Sequence, residues 1–296
     1  MDELDFSSTS PQPLPKLAPK PAAPIPLASL YTPAVALQFF KAAGELIEVP
    51  GGKSFFAEGD KAGGFFSSGS KMYLLLDGDV GLMARGAFVG NIKPGAIFGE
   101  VAMLAKAPRT ASAMAKVNSK ALSLDEKQFH TALQKIPEFA LMMMAVMVNR
   151  LRQNVARHAE PGAAPAANVP TGVVQRAAVF NQKELASFAD EIAPVRAAAG
   201  QTIMKAGDTG VFMYVVHDGM VAISINGTVV ERVGPGGVFG EMALVDNAQR
   251  AATATAETAS ELMLVKRADF LSLIKAKPQF GASVLRTIAE RLRASS

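Results

Sequence analysis

Residues 95–113 read GAIFGEVAMLAKAPRTASA, and residues 236–254 read GGVFGEMALVDNAQRAATA. The two lines are one text written twice, and internal repetition is the first thing to settle in a chain. The offset is 141 at Gly99/Gly240, at Glu100/Glu241 and at Arg109/Arg250. It also holds upstream at Met72-Tyr73 against Met213-Tyr214 and at Asp77-Gly78 against Asp218-Gly219. Downstream it holds at Phe129/Phe270, Pro137/Pro278 and Arg150-Leu151-Arg152 against Arg291-Leu292-Arg293. Further upstream the register slips. Glu58-Gly59-Asp60 matches Ala206-Gly207-Asp208 at an offset of 148, so the first copy carries seven extra residues within 61–71. Their Gly and Ser content predicts a longer hairpin loop.

Each copy has the same local signals. Tyr73–Leu76, Tyr214–Val216, Val221–Ile225 and Val229–Val233 are short apolar runs, mostly β-branched in the second copy. Asp77-Gly78, Asp218-Gly219, Asn226-Gly227 and Pro235-Gly236-Gly237 punctuate them. Short strands at regular spacing predict a small β-barrel or sandwich. Asn226-Gly227 predicts a type I′ hairpin. Each copy then turns helical. Ser123-Leu124-Asp125-Glu126 fits a capping box ahead of a short helix to about Lys135, Pro137 breaks the chain, and Glu138 to about His158 reads as a long helix. The second copy repeats this with Asp269–Lys277, Pro278 and Gln279–Arg293. The expected fold is mainly β with flanking helices: two tandem jelly-roll-like barrels, each ending in a short and a longer helix.

The expected divisions follow. Residues 1–29 form a tail, with proline-rich PQPLPKLAPKPAAPIP at 11–26, extended and without a core of its own. It is a solvated tail or a docking peptide for a partner. Domain A spans 30–158, the Pro- and Gly-rich stretch 159–172 is a linker, and domain B spans 173–296.

The 296 residues suit two domains, and 49% apolar against 19% charged residues supplies packed cores. A net charge of +4 is too mild to argue for nucleic acid. With no cysteine there is no disulfide framework, cysteine nucleophile or thiolate metal site. His130, His158 and His217 are too scattered to predict a metal centre. The start Met1-Asp2-Glu3-Leu4-Asp5 is acidic, unlike a signal peptide. The apolar run Phe139–Val148 is half the length of about 20 residues that a span needs. A cytoplasmic protein is expected.

The repeated motif has a chemistry of its own. A glycine turn that opens a short helix presents free backbone N–H groups, a cradle for phosphate. Nine residues beyond each Glu, Arg109 or Arg250 adds a guanidinium that grips two oxygens. Glu100 or Glu241 is not an anion ligand; it accepts hydrogen bonds from a sugar hydroxyl. The set suits a ribose phosphate. A single Glu and Arg at this spacing is ordinarily a surface ion pair worth about 0–1 kcal/mol. Here the pair occurs twice, among apolar neighbours (Phe98, Ala102, Leu104; Phe239, Ala243, Leu244) that predict burial. Buried charges kept twice suggest that a ligand completes them.

The pattern Phe-Gly-Glu-x-Ala, six residues, then Arg-x-Ala resembles the phosphate-binding cassette of the cyclic nucleotide-binding domain family, over about 46–158 and 186–296. That family includes the bacterial catabolite activator, protein kinase A regulatory subunits and cyclic nucleotide-gated channels. The resemblance implies that Glu100 and Glu241 bind the ribose 2′-hydroxyl and Arg109 and Arg250 the phosphate oxygens. Backbone around Gly99 and Ala102, and around Gly240 and Ala243, would complete the cradle. Thr110 can bond a guanine 2-amino group where Ala251 cannot.

The implied function is a non-enzymatic receptor for cAMP and/or cGMP, without further cofactor or metal, whose terminal helices move on binding and regulate a partner protein. A cyclic di-GMP receptor and a ligand-independent adaptor are the alternatives. No general acid–base pair beside a nucleophile stands out, so no enzyme is expected. No helix-turn-helix follows the last helix and no Arg-Arg-x-Ser/Thr segment lies in the tail, so neither DNA binding nor classical kinase inhibition is expected. The effector would be reached through the tail or the terminal helices, and the resemblance allows a homodimer. Met142, Met143, Met144 and Met147 read as core packing or as an adaptable surface.

Overall fold

The computed structural model describes residues 31–61, 70–158, 174–175, 178–190, 192–245 and 249–294. The expected tail, the linker and most of the inserted loop lie outside the described residues.

The first repeat opens with α1 (Pro33–Ala43) and continues through β1 (Glu45–Val49), β2 (Ser54–Phe56), β3 (Met72–Asp77), β4 (Val80–Ala84), β5 (Ala87–Ile92) and β6 (Ile97–Phe98). Then come α2 (Glu100–Leu104), β7 (Ser112–Ala115), β8 (Ser119–Leu124), α3 (Glu126–Lys135) and α4 (Glu138–His158). The strands form two antiparallel sheets, ordered β1-β8-β3-β6 and β2-β7-β4-β5. Apart from the β4–β5 hairpin, successive strands alternate between the two sheets, as in a jelly roll. Apolar faces turned inward explain it: Tyr73, Leu75, Val80, Ile92, Phe98 and Ala113 are buried together, with Phe55 and Phe56 packed on them.

The second repeat has β9 (Val174–Gln175), α5 (Gln182–Ala189), β10 (Val195–Ala197), β11 (Thr202–Met204), β12 (Phe212–Asp218), β13 (Val221–Ile225), β14 (Thr228–Val233) and β15 (Val238–Phe239). A single 3-10 turn, Glu241–Leu244, takes the place of α2. It is followed by β16 (Thr253–Ala256), β17 (Ser260–Lys266), α6 (Arg267–Ala276) and α7 (Pro278–Ala294). Its sheets run β10-β17-β12-β15 and β11-β16-β13-β14-β9, with β9 added parallel to β14 at the edge. The anticipated apolar runs all lie on strands. Asn226 and Gly227 have φ of 49° and 80°, as a type I′ turn needs, and Arg85 and Gly86 hold the same turn in the first repeat at 51° and 75°.

The capping box expected at Ser123 and Glu126 is corrected. Ser123 is the fifth residue of β8, and the N-cap of α3 is Asp125. The Gln128 N–H donates to Asp125 Oδ1 at 2.8 Å and the Asp125 N–H to Gln128 Oε1 at 2.9 Å. The strand holds Ser123 in the sheet, so the next acidic side chain takes the cap. Two helices went unread, although both carry start signals: Pro33 in the first turn of α1, and an Asn181–Glu184 capping box at α5.

Helices α1, α3 and α4 pack on one another through phenylalanines. Phe39 stacks on Phe139 with centroids 3.5 Å apart and meets Phe129 edge-on at 5.5 Å. The four methionines of α4 are all buried, as core packing requires. By contact the described residues form two compact units: 174–267, and 31–158 together with 268–294. Helix α7 closes the second repeat in sequence yet packs against α2, α3 and α4. No single described helix is long and apolar enough to cross a membrane.

Candidate functional site

In each repeat a two-residue strand ends on a buried phenylalanine, Phe98 or Phe239, and delivers the chain to a glycine. Gly99 has φ 74° and ψ 4°; Gly240 has φ 72° and ψ 11°. This is the left-handed region that glycine enters without penalty. A Cβ at Gly99 would also stand 2.9 Å from Arg109 Nη1, and one at Gly240 2.8 Å from Arg250 Nη1. The glycine therefore lets the backbone turn and lets the arginine close on it. After that turn the first N–H groups of α2 have no acceptor within the helix.

The arginines repeat bond for bond. Arg109 is 7% exposed and donates through Nη1 to the Gly99 carbonyl at 2.7 Å and through Nη2 to the Lys71 carbonyl at 2.6 Å. Arg250, also 7% exposed, donates to Gly240 at 2.9 Å and to Phe212 at 2.8 Å. Lys71 and Phe212 are themselves 141 residues apart. Arg109 lies over the Phe56 ring at 4.1 Å, and Arg250 over Tyr214 at 5.7 Å. Burial lowers the pKa of Arg109, opposed by the charges of nearby acidic groups, among them Glu100. Two of its five N–H groups go to these carbonyls, which leaves donors for an anion.

The main chain at each arginine is clamped by the matched tripeptides. Arg109 N–H donates to Asp60 O and its carbonyl accepts from Gly59 N–H, both at 2.9 Å. Arg250 does the same with Asp208 and Gly207 at 2.7 and 2.9 Å. The slipped register at 58–60 and 206–208 is thus real in space, and the insertion lies beyond the clamp.

Glu100 is 4% exposed and Glu241 is fully buried. Glu100 and its arginine do not pair. Instead Arg150 of α4 reaches Glu100, Nη1 to Oε1 at 2.5 Å. Sequence reasoning missed Arg150 as a site residue, although the doubled Arg-Leu-Arg was the signal. It also missed the carbonyls of Lys71 and Phe212 and the rings of Phe56 and Tyr214, because register across a sheet decides those neighbours.

Burial of Phe98, Ala102, Leu104 and Phe239 came out as expected. Ala102 is in the first turn of α2. Ala243 is on the 3-10 turn, and its side chain, like that of Leu244, lies outside what the structure describes. Thr110 and Ala251 are both exposed, one residue past the arginines. Protein groups already meet both Glu100 and Arg109, so their burial by itself does not call for a ligand. No cluster of His, Asp and Glu able to hold a metal occurs among the described residues.

Chemically, each repeat presents a buried cation, a buried carboxylate and a glycine turn with outward N–H groups within one short stretch. A cation and a carboxylate so placed have the chemistry to meet a phosphate and a hydroxyl respectively. The family model of the cyclic nucleotide-binding domain matches residues 46–136 and 194–277, and the chain belongs to that family, with two copies of the domain.

Its relatives can be stated individually. A cAMP-dependent protein kinase regulatory subunit of Aspergillus niger is 30% identical over 188 residues, 63% of this chain and 40% of that protein. A cyclic AMP receptor protein of Thermus thermophilus is 35% identical over 99 residues, 32% of this chain and 46% of that protein. The match thus spans less than half the length of either relative. The regulatory domain of Toxoplasma gondii PKA, crystallised with cAMP, is 19% identical over 84% of this chain and 86% of that one, at a TM-score of 0.29. At that score nothing further is read from the likeness.

Proposed function

We propose that the protein is a non-enzymatic cytoplasmic receptor for a cyclic mononucleotide, cAMP or cGMP, with one site in domain A (30–158) and one in domain B (173–296). The observation that carries this reading is the duplicated constellation of Gly99, Glu100 and Arg109 with Gly240, Glu241 and Arg250: both glutamates and both arginines are buried, and each arginine donates to the carbonyl of its left-handed glycine. Arg109 and Arg250 take the phosphate oxygens with their remaining N–H groups. The turns at Gly99–Ala102 and Gly240–Ala243 supply backbone donors. Glu100 and Glu241 accept from the ribose hydroxyl. Thr110 favours guanine at the first site, and Ala251 leaves the second indifferent. The names of the relatives support cAMP as the first ligand to try. A kinase catalytic subunit is the first effector to try, on the name of one of them.

Calorimetric titration of the full chain with cAMP, cGMP and cyclic di-GMP tests the reading, beside Arg109→Ala and Arg250→Ala. Two mononucleotide sites, one lost per substitution, are the expected result. A single observation favours a second reading. Glu100 and Arg109 already have internal partners, so the same residues would serve a ligand-independent adaptor. Protein freed of bound nucleotide that takes up none of the three ligands would establish that reading instead.

A further inference from the structure

The two barrels differ at one inward-facing position. Glu231 of β14 is only 9% exposed, although a carboxylate ordinarily stays in water. Strand register fixes its place. Glu231 pairs with Ile223, Ile223 with Ala254, and Ala254 with Met204. Residues directly opposite on neighbouring strands share a face. Ile223 and Ala254 belong to the buried core and Met204 packs on it, so Glu231 lies on the inner face of the second barrel. The other end of this rung is the cradle, where Met204 Sδ stands 3.5 Å from the place of a Cβ on Gly240. Three strand spacings of about 4.8 Å separate the two ends.

The first barrel has the same rung with one change. Gly90 pairs with Leu82, Leu82 with Ala113, and Ala113 with Phe56. Phe56 Cε1 stands 3.1 Å from the place of a Cβ on Gly99. The cradle ends thus correspond. At the far end, Gly90 takes the position of Glu231 at the offset of 141, and a Cβ there would meet nothing within 4 Å.

We propose that Glu231 reads the base of the nucleotide at the second site and selects guanine. This rests on the receptor reading and adds the choice that Ala251 does not make. With the phosphate at Arg250 and the ribose at Glu241, the base is the part left to extend along the rung towards β14. An ionised carboxylate only accepts hydrogen bonds. Guanine offers it two neighbouring donors, N1–H and the 2-amino group, one for each oxygen. Adenine offers one amino group beside the N1 lone pair, which would leave a buried carboxylate oxygen facing another acceptor, a costly arrangement. The first site has no carboxylate at this place.

Titration of the full chain carrying Arg109→Ala, which leaves the second site to be read, tests the proposal with cGMP, cAMP and cIMP. The expected order is cGMP tighter than cIMP, which lacks the 2-amino group, and cGMP tighter than cAMP by at least tenfold. Adding Glu231→Gln swings the cGMP-to-cAMP preference towards cAMP by at least tenfold, because an amide both accepts from and donates to adenine. The ratio of the two affinities is the readout, so a general loss of folding, which weakens both, is told apart. Unchanged hydrogen exchange in 260–266, a strand of the same unit, shows that the second barrel of each variant is folded. An equal affinity for cGMP and cAMP, or a ratio that Glu231→Gln leaves unmoved, overturns the proposal and leaves the receptor reading standing. Binding of none of the three overturns both.

Discussion

Arg150 and Glu100 form an ion pair across two elements, with Arg150 on α4 44% exposed at its side chain and Glu100 at the start of α2 only 5% exposed. The long helix thereby holds the carboxylate that the cradle presents. A nucleotide that draws on Glu100 would loosen this hold, so the cradle and α4 share one charge.

Replacing Arg150 by Ala leaves a buried carboxylate without its cation. The expected loss is about 1–3 kcal/mol of stability in the first unit, from an unmet buried acceptor. Glu100→Gln keeps a neutral hydrogen bond to Arg150 and loses less. Urea unfolding of the two variants ranks them; equal stability of Arg150→Ala and wild type would show that the pair is idle.

Arg109→Lys should not rescue Arg109→Ala. The fork to the Gly99 and Lys71 carbonyls needs two nitrogens at fixed separation, and a lysine offers one. Both variants are expected to weaken the first site by tenfold or more, about 1.4 kcal/mol. Arg250→Lys does the same at the second. Titration of single and double variants reads the sites separately.

Gly99→Ala places a Cβ at φ 74°, against Arg109 Nη1 and 3.1 Å from Phe56 Cε1. The left-handed conformation alone costs a non-glycine residue about 1–2 kcal/mol. The melting temperature of the first unit should fall. Unchanged melting and unchanged nucleotide titration would remove this glycine from the site.

Ile288 of α7 is fully buried, and α7 packs on α2, α3 and α4. Ile288→Ala therefore destabilises the first repeat rather than the barrel of the repeat it ends, by about 2–5 kcal/mol. Exchange should quicken in 138–151 and stay the same in 212–218. The opposite pattern would return α7 to its own repeat.

Burial pushes the Tyr31 hydroxyl up to about 12. Burial also raises Tyr73 and Tyr214, against the pull of Arg109 and Arg250. The folded chain thus favours the neutral phenols. Their contribution is intact below about pH 10, where an unfolded tyrosine ionises, and for Tyr31 it disappears as pH rises through about 12. Tyr31→Phe, which deletes one of the three, should flatten the loss of melting temperature between pH 10 and 12.

Much was legible in the one-dimensional chain because the repeat supplied its own control. A constant offset marked Gly99, Glu100 and Arg109 against Gly240, Glu241 and Arg250 in the sequence itself, and strand and helix runs fell within a few residues of their expected places. The misplaced cap at Ser123 shows the limit: the Ser-x-x-Glu spacing pointed to Ser123, but β8 runs through that residue and Asp125 takes the cap. Arg150 shows another. It stands 50 residues from Glu100, and no local pattern joins them.

Local pattern settled what depends on neighbours in the chain. Turns follow from glycine and asparagine, strands from alternating apolar residues, and the doubled cradle from residue types at fixed spacing. Folding in three dimensions settled what depends on distant partners. It set which carbonyls receive Arg109 and Arg250, which helix holds Glu100, which edge β9 covers, and which repeat α7 packs upon. The reason is physical. Short-range preferences are encoded by a few adjacent residues, whereas these contacts come from burying apolar faces against one another, and many sequences can satisfy that demand in more than one pairing.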